Sequence, residues 1–178
     1  MERRVEIPEG VEVEVSGMKV RVTGPLGSLE RDFSSPLFRD LGLRKEGNAV
    51  VISGPERRKK KAMVGTIAAH IRNMILGVTK GFEARLKVVF AHFPMTVKLE
   101  GSELIVQNFL GEKTVRRARI PEGVKVEVSG DEIKVSGIDK EAVGLACSRI
   151  EQSTRLTGRD RRKFQDGIWI TRKASVVG

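Results

Sequence analysis

The stretch IPEGVEVEVSGMKVRVTG, residues 7–24, decides the fold class of this chain. Its valines alternate with charged residues on either side of a Ser-Gly pair, first from Val11 to Val15 and then from Val20 to Val22. Alternation with a period of two is typical of strands that bury one face and expose the other. The stretch therefore predicts an antiparallel β-hairpin with one wet face.

The same hairpin sequence recurs 113 residues later as IPEGVKVEVSGDEIKVSG, residues 120–137, with 12 of 18 positions identical. A second correspondence, at offsets of 79 to 84 residues, pairs Gly17 with Gly101, Leu26-Gly27 with Leu110-Gly111, Ser53-Gly54 with Ser136-Gly137, and Gly65 with Gly144. We interpret both as one structural unit used twice, in the order hairpin, Leu-Gly turn, strand, second hairpin and helix. The longer match then compares the first hairpin of one unit with the second hairpin of the other. The alternative is a chance alignment of glycines, which mark turns in any β-rich chain.

Each unit is predicted to end in an amphipathic helix. In the second unit, Asp139 is the expected N-cap, Ile138 and Val143 are spaced as a hydrophobic staple, and Cys147 falls on the buried face. In the first unit, Pro55 suits a first helical position. The apolar residues of that helix recur at steps of three and four: Met63, Ile67, Ile71, Met74, Ile75 and Val78.

A strand opens the second unit, because apolar residues alternate with mostly charged ones from Phe82 to Phe90. The break near Thr79-Lys80-Gly81 divides the chain into predicted domains 1–80 and 81–178. The predicted fold class is α+β, with two tandem related domains, each an antiparallel sheet with one helix packed on one face. Residues 156–178 have no counterpart in the first unit, so they are predicted to form an added tail.

The composition predicts a polyanionic partner and excludes several other classes. Lys and Arg number 33 against 23 Asp and Glu, a net charge of +10, and such a field attracts phosphates. One cysteine and two scattered histidines cannot supply a disulfide and predict no metal site or cofactor. No apolar run reaches the length of a membrane span and no signal segment opens the chain, so we expect a soluble, cytoplasmic protein without a membrane partner.

No catalytic residue is predicted. His70 lies on a predicted helix and His92 beside Phe93-Pro94, with no spacing that joins either to a carboxylate. A nuclease, the alternative from another class, would need a carboxylate pair or a histidine with a partner. We therefore expect a protein that is not an enzyme and has no small-molecule substrate.

The cations gather in three clusters, and the third is the most informative. In it, Arg155, Arg159 and Arg161-Arg162-Lys163 are interleaved with glycine, which predicts close contact with RNA phosphates. The nearby Phe164 and Trp169 either stack on an unpaired base or anchor the tail to the second core. The other two clusters are either secondary RNA contacts or solvated surfaces. Their candidate contacts are Lys59, Lys60 and Lys61 at the start of the first helix, and Arg117 and Arg119 on one side of a strand.

The segment DRRKFQDGI, residues 160–168, resembles the carboxy-terminal signature of the family of the sixth protein of the large ribosomal subunit, in its archaeal and eukaryotic form. NMILGVTKGF (73–82), AHFP (91–94) and NFLGEK (108–113) resemble the same family in the same order. The chain departs from the family pattern at Gly158-Arg159-Asp160, where Asn-Lys-Asp is expected. Any contact made by an asparagine side chain in the family is therefore in doubt here.

The resemblance implies two related domains and a structural role in the cytoplasmic ribosome. It implies binding to large-subunit ribosomal RNA near the factor-binding region and the sarcin-ricin loop, mostly through the carboxy-terminal domain, with neighbouring ribosomal proteins as partners. A free-standing RNA chaperone or regulator is the alternative. The RNA-binding residues that the resemblance implies are Arg155, Arg159, Arg161, Arg162, Lys163, Gln165 and Gly167, together with Arg172 and Lys173.

Overall fold

A computed structural model describes residues 1–177 and divides the chain into two compact units. Unit 1 runs from Met1 to Gly81, and unit 2 begins at Phe82. The last residue of the predicted tail, Gly178, lies outside the described residues.

Unit 1 contains two three-stranded antiparallel sheets and one helix. One sheet has the order β1-β6-β5 and the other the order β2-β3-β4. The helix α1 packs against β1 and β6 of the first sheet and against β3 and β4 of the second. The elements are β1 (Glu2–Glu6), β2 (Glu12–Ser16), β3 (Lys19–Gly24), β4 (Gly27–Asp32), β5 (Gly42–Glu46), β6 (Ala49–Ser53) and α1 (Arg58–Thr79).

Unit 2 repeats this arrangement and adds one strand. Its sheets have the orders β11-β12-β7-β13 and β10-β9-β8, so that removing β13 leaves the topology of unit 1. The α+β class and the tandem repeat are thereby confirmed, with two sheets in each unit where the pattern predicted one. The elements are β7 (Phe82–Val89), β8 (Thr96–Glu100), β9 (Glu103–Gln107), β10 (Arg116–Arg119), β11 (Val124–Ser129), β12 (Glu132–Gly137), α2 (Lys140–Ser153) and β13 (Gly167–Val176).

The first hairpin shows why the valine pattern was informative. In the β2–β3 pair, Val13 lies opposite Val22, and both side chains are buried, whereas Glu14 and Arg21 lie opposite each other on the exposed face. Burial of the valine face against α1 makes the register specific, since a shift by one residue would expose every valine. The 113-residue match joins this hairpin to β11–β12, the second hairpin of unit 2, as predicted.

The helix α1 buries its predicted apolar stripe but begins later than expected. Ile67, Ile71 and Val78 are fully buried, while Met63 is only half-buried. The prediction of Pro55 as a first helical residue is wrong by three positions, because Arg57 is extended and its N–H donates to the Pro55 carbonyl in a tight turn. Neither helix of the described chain has the length and apolar character needed to cross a membrane.

The helix α2 has the predicted N-cap and a buried cysteine. The Asp139 carboxylate accepts a hydrogen bond of 3.0 Å from the Glu141 N–H at the start of the helix. Cys147 is 2% exposed, and burial, aided by the charge of Glu151, raises the pKa of its thiol to about 11. A thiol with so high a pKa is not an active nucleophile at neutral pH. Cys147 is a core residue, as the sequence predicted.

The added tail is only partly a loop. Its second half is β13, ten residues long, which runs antiparallel to β7 from the Gly167–Val89 pair to the Val176–Phe82 pair. Register shifts on both sides of Arg172 interrupt the ladder. Ile168 is 1% exposed in the core of unit 2, so the tail is an integral part of that core.

Candidate nucleic-acid interface

Six of the predicted RNA-binding residues lie on one segment, residues 155–166, which we call the cationic loop. It joins the end of α2 to the start of β13. Arg155, Arg159, Arg162 and Lys163 are exposed, as is Gln165, whereas Arg161 is half-buried. The loop thus brings four exposed cations together within nine residues, next to a cation that points inward.

Arg161 holds the two ends of the cationic loop together. Its Nη1 donates to the Asp166 carbonyl at 2.8 Å, and its Nη2 donates to the Thr154 carbonyl at 2.8 Å. The guanidinium also lies 4.8 Å from the centre of the Trp169 ring. Burial and the nearby Arg116 charge lower the pKa of Arg161, while Asp166 opposes them. Since both terminal nitrogens already bond to carbonyls, this arginine is built into the loop.

Arg116, from β10, fixes the start of the loop from the other side. Its Nε and Nη2 form a bidentate pair with the Glu112 carboxylate at 2.9 and 2.7 Å. Its Nη1 donates to the Ser153 and Arg155 carbonyls at 3.2 and 2.7 Å, which satisfies carbonyls left free where α2 ends. The hydrogen bond from Arg116 lowers the pKa of Glu112 despite partial desolvation.

A buried carboxylate fixes the other end of the loop. Asp166 is 1% exposed, and its side chain accepts hydrogen bonds from the N–H groups of Ala91 and His92 at 3.2 and 3.3 Å. The other oxygen lies 2.9 Å from His92 Nδ1. Desolvation raises the pKa of Asp166, but these hydrogen bonds together lower it below its ordinary value. The carboxylate is therefore ionised and fully bonded at neutral pH.

Aromatic stacking orders the middle of the loop. The Phe164 ring is stacked on the His92 ring at a centroid distance of 4.9 Å, and the Arg159 guanidinium lies 4.9 Å from the centre of the same ring. Phe164 thus has partners within its own chain, and it anchors the tail. This outcome is one of the two that the sequence left open for the aromatic residues.

Gly167 contributes shape to the site. It is buried, and its φ of 151° lies in the region that favours glycine. A β-carbon there would lie 3.1 Å from Thr154 Oγ1 and 3.5 Å from Arg161 Nη1. Any other residue would therefore press on the two groups that hold the loop and on the Ile168 N–H, which donates to Thr154 Oγ1 at 3.0 Å.

The exposed cations are held at the surface without being neutralised by other elements. Arg162 has a side chain 91% exposed and pairs only with Asp160 of the same loop, at 3.0 Å. This pairing lowers the pKa of Asp160. Arg155 and Lys163 have no ion pair with any described residue. The loop therefore offers positive charge on a backbone that is already ordered.

The remaining candidates lie elsewhere. Arg172 and Lys173 are exposed on the second half of β13, where Arg172 Nε donates to Ser175 Oγ at 3.2 Å. Arg117 and Arg119 both point outward from β10 on either side of the buried Ala118, and Arg117 pairs with Glu103 at 3.0 Å.

Lys59, Lys60 and Lys61 belong to the first turn of α1 in unit 1. Lys60 donates to the Arg39 carbonyl and lies 3.9 Å from the Asp40 carboxylate. Lys59 and Lys61 are exposed.

Sequence reasoning missed the residues that hold the loop in place. His92 and Asp166 are 74 positions apart, and Arg116 reaches a carbonyl 39 positions away. No local period or spacing joins residues so distant, and only the topology brings them together. Among residues 1–177 there is no cluster of three or more His, Cys, Asp or Glu side chains that could hold a metal ion.

A duplicated α+β body that carries an ordered loop of exposed arginine and lysine is typical of structural proteins that bind RNA. Comparison with known proteins is more specific. The family model described as "Ribosomal protein L6" matches the chain twice, over residues 7–81 and 93–167. The chain belongs to the ribosomal protein L6 family.

Close relatives cover almost the whole chain. The large ribosomal subunit protein uL6 of Aeropyrum pernix is 51% identical over 175 residues, 98% of this chain and 95% of the relative. Those of Methanothrix thermoacetophila and Methanosarcina mazei are 50% and 49% identical and cover 96% and 97% of both chains. The resemblance predicted from sequence is confirmed, and with it a structural, ribosomal and therefore cytoplasmic protein that is not an enzyme.

Proposed function

We propose that this ribosomal protein binds large-subunit ribosomal RNA mainly through the cationic loop of unit 2, near the factor-binding region and the sarcin-ricin loop. Neighbouring ribosomal proteins contact the rest of its surface. The observation that carries the proposal is the division of labour within the loop: Arg161 is bonded to carbonyls of its own chain, while Arg155, Arg162 and Lys163 face solvent.

Two kinds of residue serve this function differently. The exposed cations, with Arg159, bind phosphate oxygens and fix the orientation of the protein on the RNA. Arg161, Arg116, Asp166 and Gly167 position them by fixing the loop backbone before RNA arrives. An ordered loop loses little conformational entropy on binding, which strengthens the complex without adding contacts. Specificity then comes from the shape of the RNA, because the major groove of an A-form helix is too narrow for side chains to read.

Secondary contacts follow from exposure. Arg172 and Lys173 on β13, Gln165 in the loop, and Arg117 and Arg119 on β10 extend the cationic surface of unit 2. Lys59 and Lys61 are the equivalent candidates in unit 1, whereas Lys60 is directed to the Arg39 carbonyl.

The test compares two adjacent arginines. The intact chain is titrated with deproteinised large-subunit ribosomal RNA over a range of salt concentrations, and binding is plotted against the logarithm of salt. We expect Arg162→Ala to reduce the slope by about 1, because one phosphate contact is lost. Arg161→Ala should weaken binding with an unchanged slope and should increase hydrogen exchange in residues 155–166.

Lys19→Ala is the matched control, since it removes one exposed cation, paired with Glu30, from unit 1. It should change neither the slope nor the exchange. If slopes remain unchanged in separate alanine variants of Arg155, Arg159, Arg162 and Lys163, the cationic loop is not the RNA contact.

Sedimentation of cell extracts separates the ribosomal function from a free-standing RNA chaperone or regulator. We expect nearly all of the protein to travel with large subunits through a moderate salt wash. A substantial free pool, or RNA binding without subunit association, would favour the alternative.

A further inference from the structure

Trp169 is the only tryptophan of the chain, and it lies on the solvent side of β13. The neighbouring Ile168 points the other way into the core and is 1% exposed, whereas Trp169 is 37% exposed. A large aromatic ring left this open on a folded surface often marks a contact site. Its position beside the cationic loop calls for a physical account.

The ring is held in one orientation by the loop. Its Nε1–H donates to the Gln165 carbonyl at 3.0 Å, and the Arg161 guanidinium lies 4.8 Å from the ring centre. The indole polar group is therefore already bonded, and the exposed part of the ring is apolar π-surface that Arg161 leaves open. A side chain fixed in this way loses little entropy when a flat ligand stacks on it.

Phe164 provides the contrast. Its ring has His92 stacked on it and Arg159 lying against it, and the residue is half-buried. Phe164 is thus engaged within the protein, and Trp169 is the aromatic residue beside the loop that remains open to a partner.

A cation stands directly across the sheet from Trp169. In the β7–β13 ladder Trp169 pairs with Lys87, and directly opposed residues of an antiparallel pair project from the same face. Lys87 is exposed and makes no ion pair with any described residue. The nearest acidic neighbour on that face is Glu132, across from Lys87 on β12, and it is bonded to Arg85 at 2.7 Å.

We propose that the outer face of β13 and β7 is a binding site for one unpaired RNA nucleotide, whose base stacks on Trp169 and whose phosphate lies at Lys87. This inference rests on the proposed function, because the cationic loop delivers the RNA to the site. The site differs from the loop in chemistry: the loop binds phosphates of structured RNA, and Trp169 binds a base that has left its stack.

Because the chain has a single tryptophan, its fluorescence reports this site alone. The intact protein is titrated with the large-subunit ribosomal RNA fragment that it protects from cleavage, and in parallel with heparin, a polyanion that has no bases. We expect the RNA to quench Trp169 in step with binding and heparin to bind without quenching.

Variants provide a second measurement. Trp169→Leu should weaken RNA binding on the order of tenfold and leave heparin binding unchanged, whereas Trp169→Phe should retain most of the affinity. Lys87→Gln should reduce the salt slope by about 1. The titration of the unmodified protein decides the question if Trp169→Leu does not fold.

The outcomes distinguish the two proposals. RNA binding without quenching, combined with normal binding by Trp169→Leu, would overturn the stacking site and leave the proposed function intact. An emission shift that occurs on joining complete subunits but not on binding naked RNA would assign Trp169 to a neighbouring protein and also overturn it. Failure of the unmodified chain to bind large-subunit RNA at all would overturn the proposed function itself.

Discussion

The strands β1 and β7 hold the same place in the two units, but their outer edges differ. β7 is covered by β13, whereas β1 ends its sheet, and no strand of residues 1–177 pairs with its outer edge. The helices differ in parallel: α1 has 22 residues and α2 has 14. Where α2 stops, the chain forms the cationic loop and returns as β13. The RNA-binding surface thus occupies an addition to one copy of a repeated framework.

The two edges are protected in different ways. The edge strand β1 carries Glu2, Arg3, Arg4 and Glu6, and charges of this kind discourage pairing with another chain. On β13, the N–H groups of Ile168 and Ile170 donate to side chains of Thr154 and Glu151 at 3.0 and 2.9 Å. The addition is therefore bonded to the end of α2 as well as to β7, which keeps the loop between them in a fixed conformation.

The strongest test of this comparison asks whether β13 is an appendage or part of the core. Ile168→Ala should lower the free energy of unfolding of unit 2 by about 2–5 kcal/mol, because it leaves a cavity at a fully buried position. Urea unfolding followed by Trp169 fluorescence reports unit 2 directly. Val177→Ala, at a residue 41% exposed just after β13, is the control and should change stability by less than about 0.5 kcal/mol. Equal effects of the two variants would mean that β13 contributes little to the core.

A smaller effect is expected at the buried carboxylate that anchors the loop. Asp166→Asn should cost about 1.5–3 kcal/mol near neutral pH, because hydrogen bonds to a charged group are lost or weakened. The pKa of Asp166 in the folded protein lies below its ordinary value of 3.8, so this contribution is complete above that value and is lost as the pH falls below it.

Urea midpoints of the two proteins, measured from pH 7 down to pH 3, should therefore converge at the acid end. Asp160→Asn is the matched control, since its pKa is also lowered but its partner Arg162 is exposed. A constant difference between wild type and Asp166→Asn across this range would contradict the assignment of an ionised Asp166.

The smallest effect concerns the glycines that correspond in the two helices. A β-carbon at Gly144 would meet no atom within 4 Å, and one at Gly65 would meet only the end of the Arg3 side chain at 3.5 Å. Alanine at either position should raise stability by about 0.5–1 kcal/mol, because it favours the helix. Thermal unfolding measures the change. Gly24→Ala should instead destabilise, since its β-carbon would lie 2.7 Å from the Val78 side chain. A loss of stability at Gly144 would show that its place in the repeat reflects packing after all.

Much of the framework could be predicted because its signals are local. Alternating valines specified the hairpins, steps of three and four specified the buried face of α1, and Asp139 marked the start of α2. The Gly17 and Gly101 pair identified equivalent turns, since both residues have φ near +60° between strands of a hairpin. Helix bounds were less predictable, because the turn at Pro55 depends on a backbone bond made after the sheet has formed.

The sequence by itself determined the repeat, the α+β class, the family and the segment where positive charge gathers, because periodicity and charge are properties of neighbouring residues. The tertiary structure alone decided which of those charges face outward. It buried Asp166 against His92, turned Arg161 toward two carbonyls and left Arg162 in water, although Arg161 and Arg162 are adjacent and chemically identical. The physical reason is that a guanidinium is assigned by the acceptors within its reach, and those acceptors come from distant parts of the chain.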